Sequence, residues 1–286
     1  MKFCVIANPD KYSVQEPLNS LQNHCENKGH SLYLTGRLSE YLYSKKNEAV
    51  VDTEADAVQN AEIIVAIGGD GTLLHTAHLA KESEKPILAI NTGRLGFMAN
   101  TLPTQIEEAL GCIEEGRYTI DQRDLLQATA PDGSRYYALN EFLFSRKDTS
   151  SMISLIAEYD GELINDYWAD GLILSSPTGS TAYNLSAGGP IVYPGTKVLL
   201  LTPINPHTLT TRPLVLPSDR KVTVKSSENP ENVLFSYDGN VIPHESEINI
   251  DIIVSGYTVR LIQLPDHHYF ETLRNKLMWG LDKRKF

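Results

Sequence analysis

The chain has 286 residues, 41% hydrophobic and 21% charged, an ordinary globular mixture that excludes wholesale disorder and a single small module. Lys and Arg number 25 against 36 Asp and Glu, and the net charge of −11 argues against nucleic acid as the main partner. Small phosphorylated ligands are not excluded, because a local cluster of backbone N–H groups or a cation outweighs a distant acidic surface.

In chain order, segments 2–8, 61–67 and 85–90 are nearly continuous apolar runs and predict strands buried on both faces. Segments 16–29, 72–81 and 103–116 predict helices; in the last, Ile106, Ala109, Leu110 and Ile113 recur at helical spacing. Strands separated by helices imply parallel pairing, so 1–118 is expected to be an open, Rossmann-like α/β domain. Beyond it, the short β-prone runs 125–130, 136–145, 154–159, 222–225, 233–237 and 257–264 are punctuated by Asp-Gly turns at 132–133, 160–161 and 238–239. Residues 119–266 are therefore expected to form an antiparallel, two-layer β-sandwich. A terminal helix over 267–286 carries Phe270, Leu273, Leu277 and Leu281 on one face and is expected to pack back on the first domain, with Lys283, Arg284 and Lys285 as its basic end.

Cys4, Cys25 and Cys112 are widely spaced with no C-x-x-C pair, which indicates neither a disulfide framework nor a thiolate metal site. The apolar opening is too short for a signal-peptide core and no run reaches the length of a membrane span, so the expectation is a cytoplasmic protein with no membrane partner.

The strongest chemical signal is the strand at 63–67 running into Gly68, Gly69, Asp70, Gly71 and Thr72. A buried strand that ends in glycines and opens a helix exposes backbone N–H groups where phosphates bind. Neither G-x-G-x-x-G nor G-x-x-x-x-G-K-[ST] is present, and the same residues also describe a tight turn capped by Asp70. A carboxylate inside an anion loop, however, needs a proton to accept or a cation beside it, and both alternatives are functional. A second loop after the next strand carries Arg94, suited to phosphate, and Phe97, which either covers a base or tucks into the domain interface. The irregular stretch from Ser175 to Pro190 is dense in Gly, Pro, hydroxyl residues and Tyr183, which permits close approach of a polar ligand. Asn140 offers a donor and an acceptor, as adenine requires, and Glu141 can accept from ribose hydroxyls. Asp238-Gly239-Asn240 reads most simply as a hairpin turn.

Together these motifs resemble the ATP-NAD kinase family: GGDGT at 68–72, NTGRLGF at 91–97, NE at 140–141, DGLILSSPTGSTAYNLSAGGPI at 170–191, PHTLTTRPL at 206–214 and DGN at 238–240. The resemblance implies an α/β first domain, a β-sandwich second domain, an NAD-binding cleft between them, and transfer of the γ-phosphoryl of ATP to the 2′-hydroxyl of the adenosine ribose of NAD. It implies Asp70 as general base, with Gly68, Gly69, Gly71, Thr72 and Arg94 at phosphates and His75 nearby. Asn140 and Thr178 become adenine contacts. Glu141, Asp170, Ala182 and Tyr183 surround the riboses, and Thr181, Asn184, Leu185 and Ser186 line the dinucleotide site with Phe97. Asn240 takes the place where many relatives have Gln, and Trp168 stands where some members carry a basic residue. A ribose hydroxyl is too weak an acid to ionise at neutral pH, so a divalent cation, Mg²⁺, is expected with ATP, without a direct side-chain cage. The family further implies a homotetramer or dimer.

Two rivals are weighed. A kinase of a lipid or sugar alcohol would leave Asn140, Asp170 and the 178–183 run without a purpose. A silent dinucleotide sensor would keep the cleft but would not need Asp70.

Overall fold

The structure is a computed structural model that describes all residues except 94, 95, 100, 149, 150, 227–229, 244–247, 266, 267 and 280–286. The expected contribution of Leu281, Lys283, Arg284 and Lys285 to the terminal helix lies outside the described residues. The chain divides into two units, Met1–Gln122 with Val259–Phe286, and Arg123–Thr258.

The first unit alternates strand and helix: β1 Lys2–Ala7, α1 Gln15–Lys28, β2 Ser31–Thr35, α2 Gly36–Ser39, β3 Glu48–Val51, α3 Glu54–Asn60, β4 Ile63–Gly68, α4 Asp70–Ala80, β5 Pro86–Asn91 and α5 Ile106–Glu114. All strands pair in parallel in the order β3-β2-β1-β4-β5. β1, β4 and β5 are buried almost throughout, which is why their sequences are unbroken apolar runs. Their side chains join Leu18, Leu21 and Cys25 of α1 and Ile106, Ala109, Leu110 and Ile113 of α5 in one core. The parallel register carries the C-terminal ends of β1, β4 and β5 to one sheet edge, and Gly68 lies there beside Asn91.

The second unit is antiparallel β. It contains β6 Thr119–Thr129, which begins in the first unit, then β7 Arg135–Ala138, β8 Glu141–Arg146, β9 Ile153–Tyr159, β10 Glu162–Ala169, β11 Gly171–Ser175, α6 Tyr183–Ser186, β12 Val198–Ile204, β13 Leu214–Pro217, β14 Val222–Ser226, β15 Val233–Tyr237, β16 Asn240–Ile242 and β17 Asn249–Gln263. One sheet runs β13-β12-β11-β8-β15-β16; the other includes β10-β9-β14 and the first part of β17. The buried faces of both supply a second core centred on Phe142, Phe144, Phe235, Leu172 and Leu174, a two-layer arrangement. The last turn of β17 belongs to the first unit, where Arg260 and Leu261 pair in parallel with β5. The helix α7 Tyr269–Leu277 follows.

The expected single strand over 136–145 is a correction. It breaks at Leu139 and Asn140 because the Asp238 carboxylate accepts the N–H groups of Leu139, Asn140 and Glu141 at 2.7, 2.8 and 3.2 Å.

Candidate active site

In the first unit the chain leaves β4 through Gly68 and Gly69 and enters α4 at Asp70. Gly69, not Asp70, occupies the helix cap, and no side chain caps this terminus. The Thr72 N–H turns back to the Gly69 carbonyl at 3.0 Å, and the N–H groups before it, at the positive end of the helix dipole, are where an anion is favoured. A Cβ on Gly68 would collide with the Thr72 side chain, so that glycine is demanded by packing. A Cβ on Gly69 or Gly71 would meet nothing within 4 Å, so packing within the chain does not explain their bare backbone, whereas close approach of a ligand does.

Asp70 is the best-organised side chain of this loop. Its Oδ2 accepts from Lys276 Nζ at 3.1 Å and from the Phe97 N–H at 3.4 Å, while Oδ1 is buried with no partner among the described residues. Gly96 lets the carboxylate in: a Cβ there would stand 2.2 Å from Oδ1. Lys276 lies on α7 and its ammonium also sits 4.3 Å from the centre of the buried Phe97 ring. Asn91 holds the second loop in place, accepting from the Gly93 N–H at 2.8 Å and donating to the Ala99 carbonyl at 3.1 Å. Arg94 lies outside the described residues.

Gly69, Gly71, Thr72 and His75 line an open cleft of about 420 Å³ together with Asn8, Lys11, Arg37 and Glu54. His75 is tied to Glu54 at 2.6 Å and Arg37 to Asp10 at 2.7 Å. Lys276, Lys11 and Arg37 are cations that the sequence reasoning did not single out; they come from segments remote from the glycines and reach them only through the fold.

In the second unit, β8 and β11 pair so that Ser175 lies opposite Glu141. The turn after β11 then folds onto Asn140: Ser176 donates its N–H to the Asn140 carbonyl at 2.9 Å and its hydroxyl to the Leu139 carbonyl at 2.5 Å. Gly179 packs so closely on the Asn140 carbonyl that a Cβ would stand 2.3 Å from it. Asn140, Glu141 and Thr178 thus share one corner, and Thr178 accepts from Arg123 at 3.3 Å. The Asp238 carboxylate clamps the same backbone from the β15–β16 turn, so this turn is more than a hairpin. Exposed Asn240 opens β16 directly after the turn.

Glu141 Oε2 is buried without a partner among the described residues. Burial, and after it the neighbouring Asp238 carboxylate, pushes the Glu141 carboxyl up to about 8. A group in that state can take a proton or accept ligand hydroxyls.

The run after Thr178 forms a short 3-10 turn through Thr181 and then α6. Tyr183 and Ser186 are exposed, and Thr181, Ala182 and Leu185 are partly so. Asn184 is different. It is fully buried, donates to the Ser180 and Pro190 carbonyls at 3.3 Å, and accepts from Thr202 at 2.6 Å. Its side chain is a strut that shapes the loop.

Asp170 stands at the other end of β11 from Ser175, five residues away, or about 16 Å at strand spacing. There it pairs with Arg146 at 3.2 Å and accepts from Asn205 at 3.0 Å. The second unit therefore does not bring Asp170 together with Asn140, Glu141 and Thr178. Trp168 is half exposed and packs against His207, with ring centres 4.3 Å apart.

Residues 6–118 match the ATP-NAD kinase N-terminal domain, and residues 139–264 match the ATP-NAD kinase C-terminal domain. Among curated relatives, the NAD kinase of Flavobacterium psychrophilum is 39% identical over 93% of this chain and 90% of its own length. That of Bacteroides fragilis is 35% identical over 99% of this chain and 100% of its own. The fold is shared with two solved structures. Yeast NADH kinase complexed with NADH has a TM-score of 0.91 at 24% identity, covering 100% of this chain and 90% of that one. An NAD kinase from Archaeoglobus fulgidus in complex with ATP has a TM-score of 0.74 at 23% identity, covering 97% and 99%. Two domain matches in the right order, carried by relatives aligned almost end to end, place this chain in the ATP-NAD kinase family.

Proposed function

We propose that the family's reaction runs on this chain with Asp70 as its base. The activity is that of an NAD kinase: the 2′-hydroxyl oxygen of the adenosine ribose attacks the γ-phosphorus of ATP, the bond to the β-phosphate oxygen breaks, and ADP and NADP result. The hydroxyl proton passes to the Asp70 carboxylate. The observation that carries this role is the setting of Asp70 at the mouth of a glycine loop, one oxygen held by Lys276 and the Phe97 N–H and the other buried without a partner among the described residues. A general base must have an oxygen available at hydrogen-bond range, and Oδ1 is that oxygen.

Gly69, Gly71 and Thr72 present backbone to the cleft that Lys11, Arg37 and His75 also line, which suits polyphosphate. Asn140 and Thr178 serve adenine, and Glu141 serves ribose hydroxyls with its unpartnered oxygen. Tyr183, Ala182, Thr181, Leu185 and Ser186 give the surface on which the rest of the dinucleotide lies, and Asn240 flanks it. Mg²⁺ would arrive with ATP, held by its phosphates without a side-chain cage from this chain, and would neutralise charge on the transferring phosphoryl group, which leaves Asp70 Oδ1 to the proton. The working form is a homo-oligomer, supported by the separation of Asp170 from the Asn140 corner within one chain, and its location is cytoplasmic, which the three free cysteines suit.

Incubation with Mg-ATP and NAD, followed by detection of NADP, tests the reading. Formation of NADP that disappears in Asp70→Asn supports it; absence of NADP, or equal turnover of an unrelated alcohol, rejects it.

A further inference from the structure

At the opposite edge of the first unit's sheet from the glycine loop, the N-terminal ends of β1 and β2 meet the ends of α1 and α5. His24 lies in the last part of α1 and is almost fully buried. The helix then stops at Gly29, whose φ of 71° is the left-handed turn that glycine tolerates, and the chain returns at once with His30. Glu114 is the last residue of α5.

These three side chains converge. Nε2 of His24 and Nε2 of His30 stand 2.7 and 2.8 Å from the same Glu114 oxygen, Oε1. All three ligand atoms lie within 4.8 Å of one another. Behind them, His24 Nδ1 is 2.8 Å from Glu107 and His30 Nδ1 is 3.1 Å from the Met1 amino group. Lys28 approaches the other Glu114 oxygen at 3.7 Å.

Hydrogen accounting makes this arrangement unusual. A neutral imidazole carries one N–H, yet His24 has a carboxylate at each ring nitrogen. With Nδ1–H donating to Glu107, the Nε2 lone pair faces Glu114 Oε1, so a cation stands between them, a second proton or a metal ion; His30 joins as a ligand through Nε2 when the Met1 amine is neutral and accepts from the His30 Nδ1–H. A carboxylate that fixes the far nitrogen of a histidine is the usual support of a metal ligand.

We propose that His24, His30 and Glu114 form a binding site for a divalent transition ion of the Zn²⁺ class, with Glu107 orienting His24 from behind. Two imidazole nitrogens and one carboxylate select Zn²⁺, Co²⁺ or Ni²⁺ over Mg²⁺, which prefers oxygen donors, so the site is chemically distinct from the cation of the phosphoryl transfer. Metal bonds of 2.0–2.1 Å in tetrahedral geometry set ligand atoms about 3.3 Å apart, so the nitrogens retreat from Oε1 by about 0.6 Å and, starting within 4.8 Å of each other, settle at that spacing by rotation of the partly exposed His30 and Glu114 side chains. The bound ion would tie α1, the entry to β2 and the end of α5 together, a structural role remote from Asp70.

The test uses the full chain without nucleotide and Co²⁺ or Zn²⁺ alone as probe. One equivalent of Co²⁺ is expected to give the visible absorption of a four-coordinate centre, and Zn²⁺ to displace it and raise Tm. In His30→Gln and Glu114→Gln the absorption and the Zn²⁺-dependent Tm shift should vanish, whereas Glu107→Gln should bind about 10- to 100-fold more weakly. The comparison is of metal-dependent shifts, so a change in the variants' own Tm does not obscure it. Failure of the parent protein to saturate at millimolar Co²⁺, or equal binding by parent and variants, overturns the site and leaves the proton as the bridging cation.

Discussion

The Lys276 ammonium lies 3.1 Å from Oδ2 of Asp70 and 4.3 Å from the centre of the Phe97 ring, while Oδ1 of the same carboxylate has no partner among the described residues. One oxygen is thus anchored and the other is left for a ligand. An anchor of this kind fixes the direction in which the free oxygen points, and catalytic geometry is sensitive to such positioning. Lys276→Met is expected to lower kcat by about 10- to 100-fold, the worth of one charge-assisted hydrogen bond, with the KM for NAD little changed. Lys276→Arg should restore part of the loss. Parent-like kcat in Lys276→Met, measured by NADP formation, would show that the contact has no catalytic consequence.

Asp70→Asn keeps the shape of the side chain and removes the proton acceptor. Turnover should fall by about 10² to 10⁴ while calorimetric NAD affinity stays near the parent's. Gly96→Ala approaches the same carboxylate sterically, since its Cβ would stand 2.2 Å from Oδ1. It is expected to reduce kcat with a modest loss of Tm. Undiminished turnover in Asp70→Asn would exclude the role of base.

What the sequence makes legible follows the range of the interaction. The β4–glycine–α4 unit is readable because a buried parallel strand, bare glycines and a helix start are all local signals. The α/β alternation and the antiparallel second half are readable for the same reason. β2 escapes because it is five residues long with only Leu32 and Leu34 buried, and β3 and β10 because most of their side chains are partly buried or exposed without a strong apolar run. Lys276 and Asp70 are 206 positions apart, and nothing local to either announces the pair. The Asp238 clamp on Leu139–Glu141 is hidden in the same way, behind an Asp-Gly dipeptide whose hairpin role is real but incomplete. Asn184 shows the converse limit: its place in a ligand-like motif gives no sign that its amide is spent on Ser180, Pro190 and Thr202.

Glu141 gives a pH dependence with a definite sign. Its carboxyl is pushed from an ordinary value of 4.5 up to about 8, first by burial and then by Asp238. Below pH 4.5 folded and unfolded chains both hold the proton, and no penalty exists. Between 4.5 and 8 the unfolded chain releases it while the folded chain keeps it, so stability falls as pH rises, and the loss is complete above the folded value. Glu141→Gln cannot ionise. It should match the parent's Tm trend below pH 5 and exceed the parent above pH 8 by roughly a few kcal/mol. Ribose hydroxyls donating to this carboxyl favour its charged form, so NAD binding near pH 7 should release a proton, seen as buffer-dependent heats in calorimetry. Parallel pH–Tm curves for parent and variant would refute the argument.

The Asn140 backbone is held at the corner where Gly179 packs and Asp238 accepts its N–H. Asn140→Ala removes the groups proposed to pair with the adenine edge, and NAD binding should weaken by roughly 1 to 3 kcal/mol. Affinity equal to the parent's would reassign the adenine contact.

The position of Asp170 bears on assembly. Within one chain it is separated from Asn140, Glu141 and Thr178 by the length of β11, about 16 Å, and its partners there are Arg146 and Asn205. If Asp170 serves the same dinucleotide as the Asn140 corner, the Asp170 in question belongs to a second copy of the chain, which makes the homo-oligomer part of the site. Subunit mixing separates this from a monomer. Asp70→Asn and Asp170→Asn are each expected to be nearly inactive alone, because every site lacks one of the two carboxylates. After exchange of subunits, a dimer containing one of each has one site with both carboxylates intact and one with neither. Random pairing then restores about a quarter of parent activity, since half the dimers are mixed and half of their sites are whole. Dilution that dissociates the assembly should lower specific activity in the parent as well. No recovery on mixing, with light scattering showing that exchange has occurred, would place Asp170 in its own chain's chemistry or outside the reaction, and full specific activity from a monomer would remove the partner from the site.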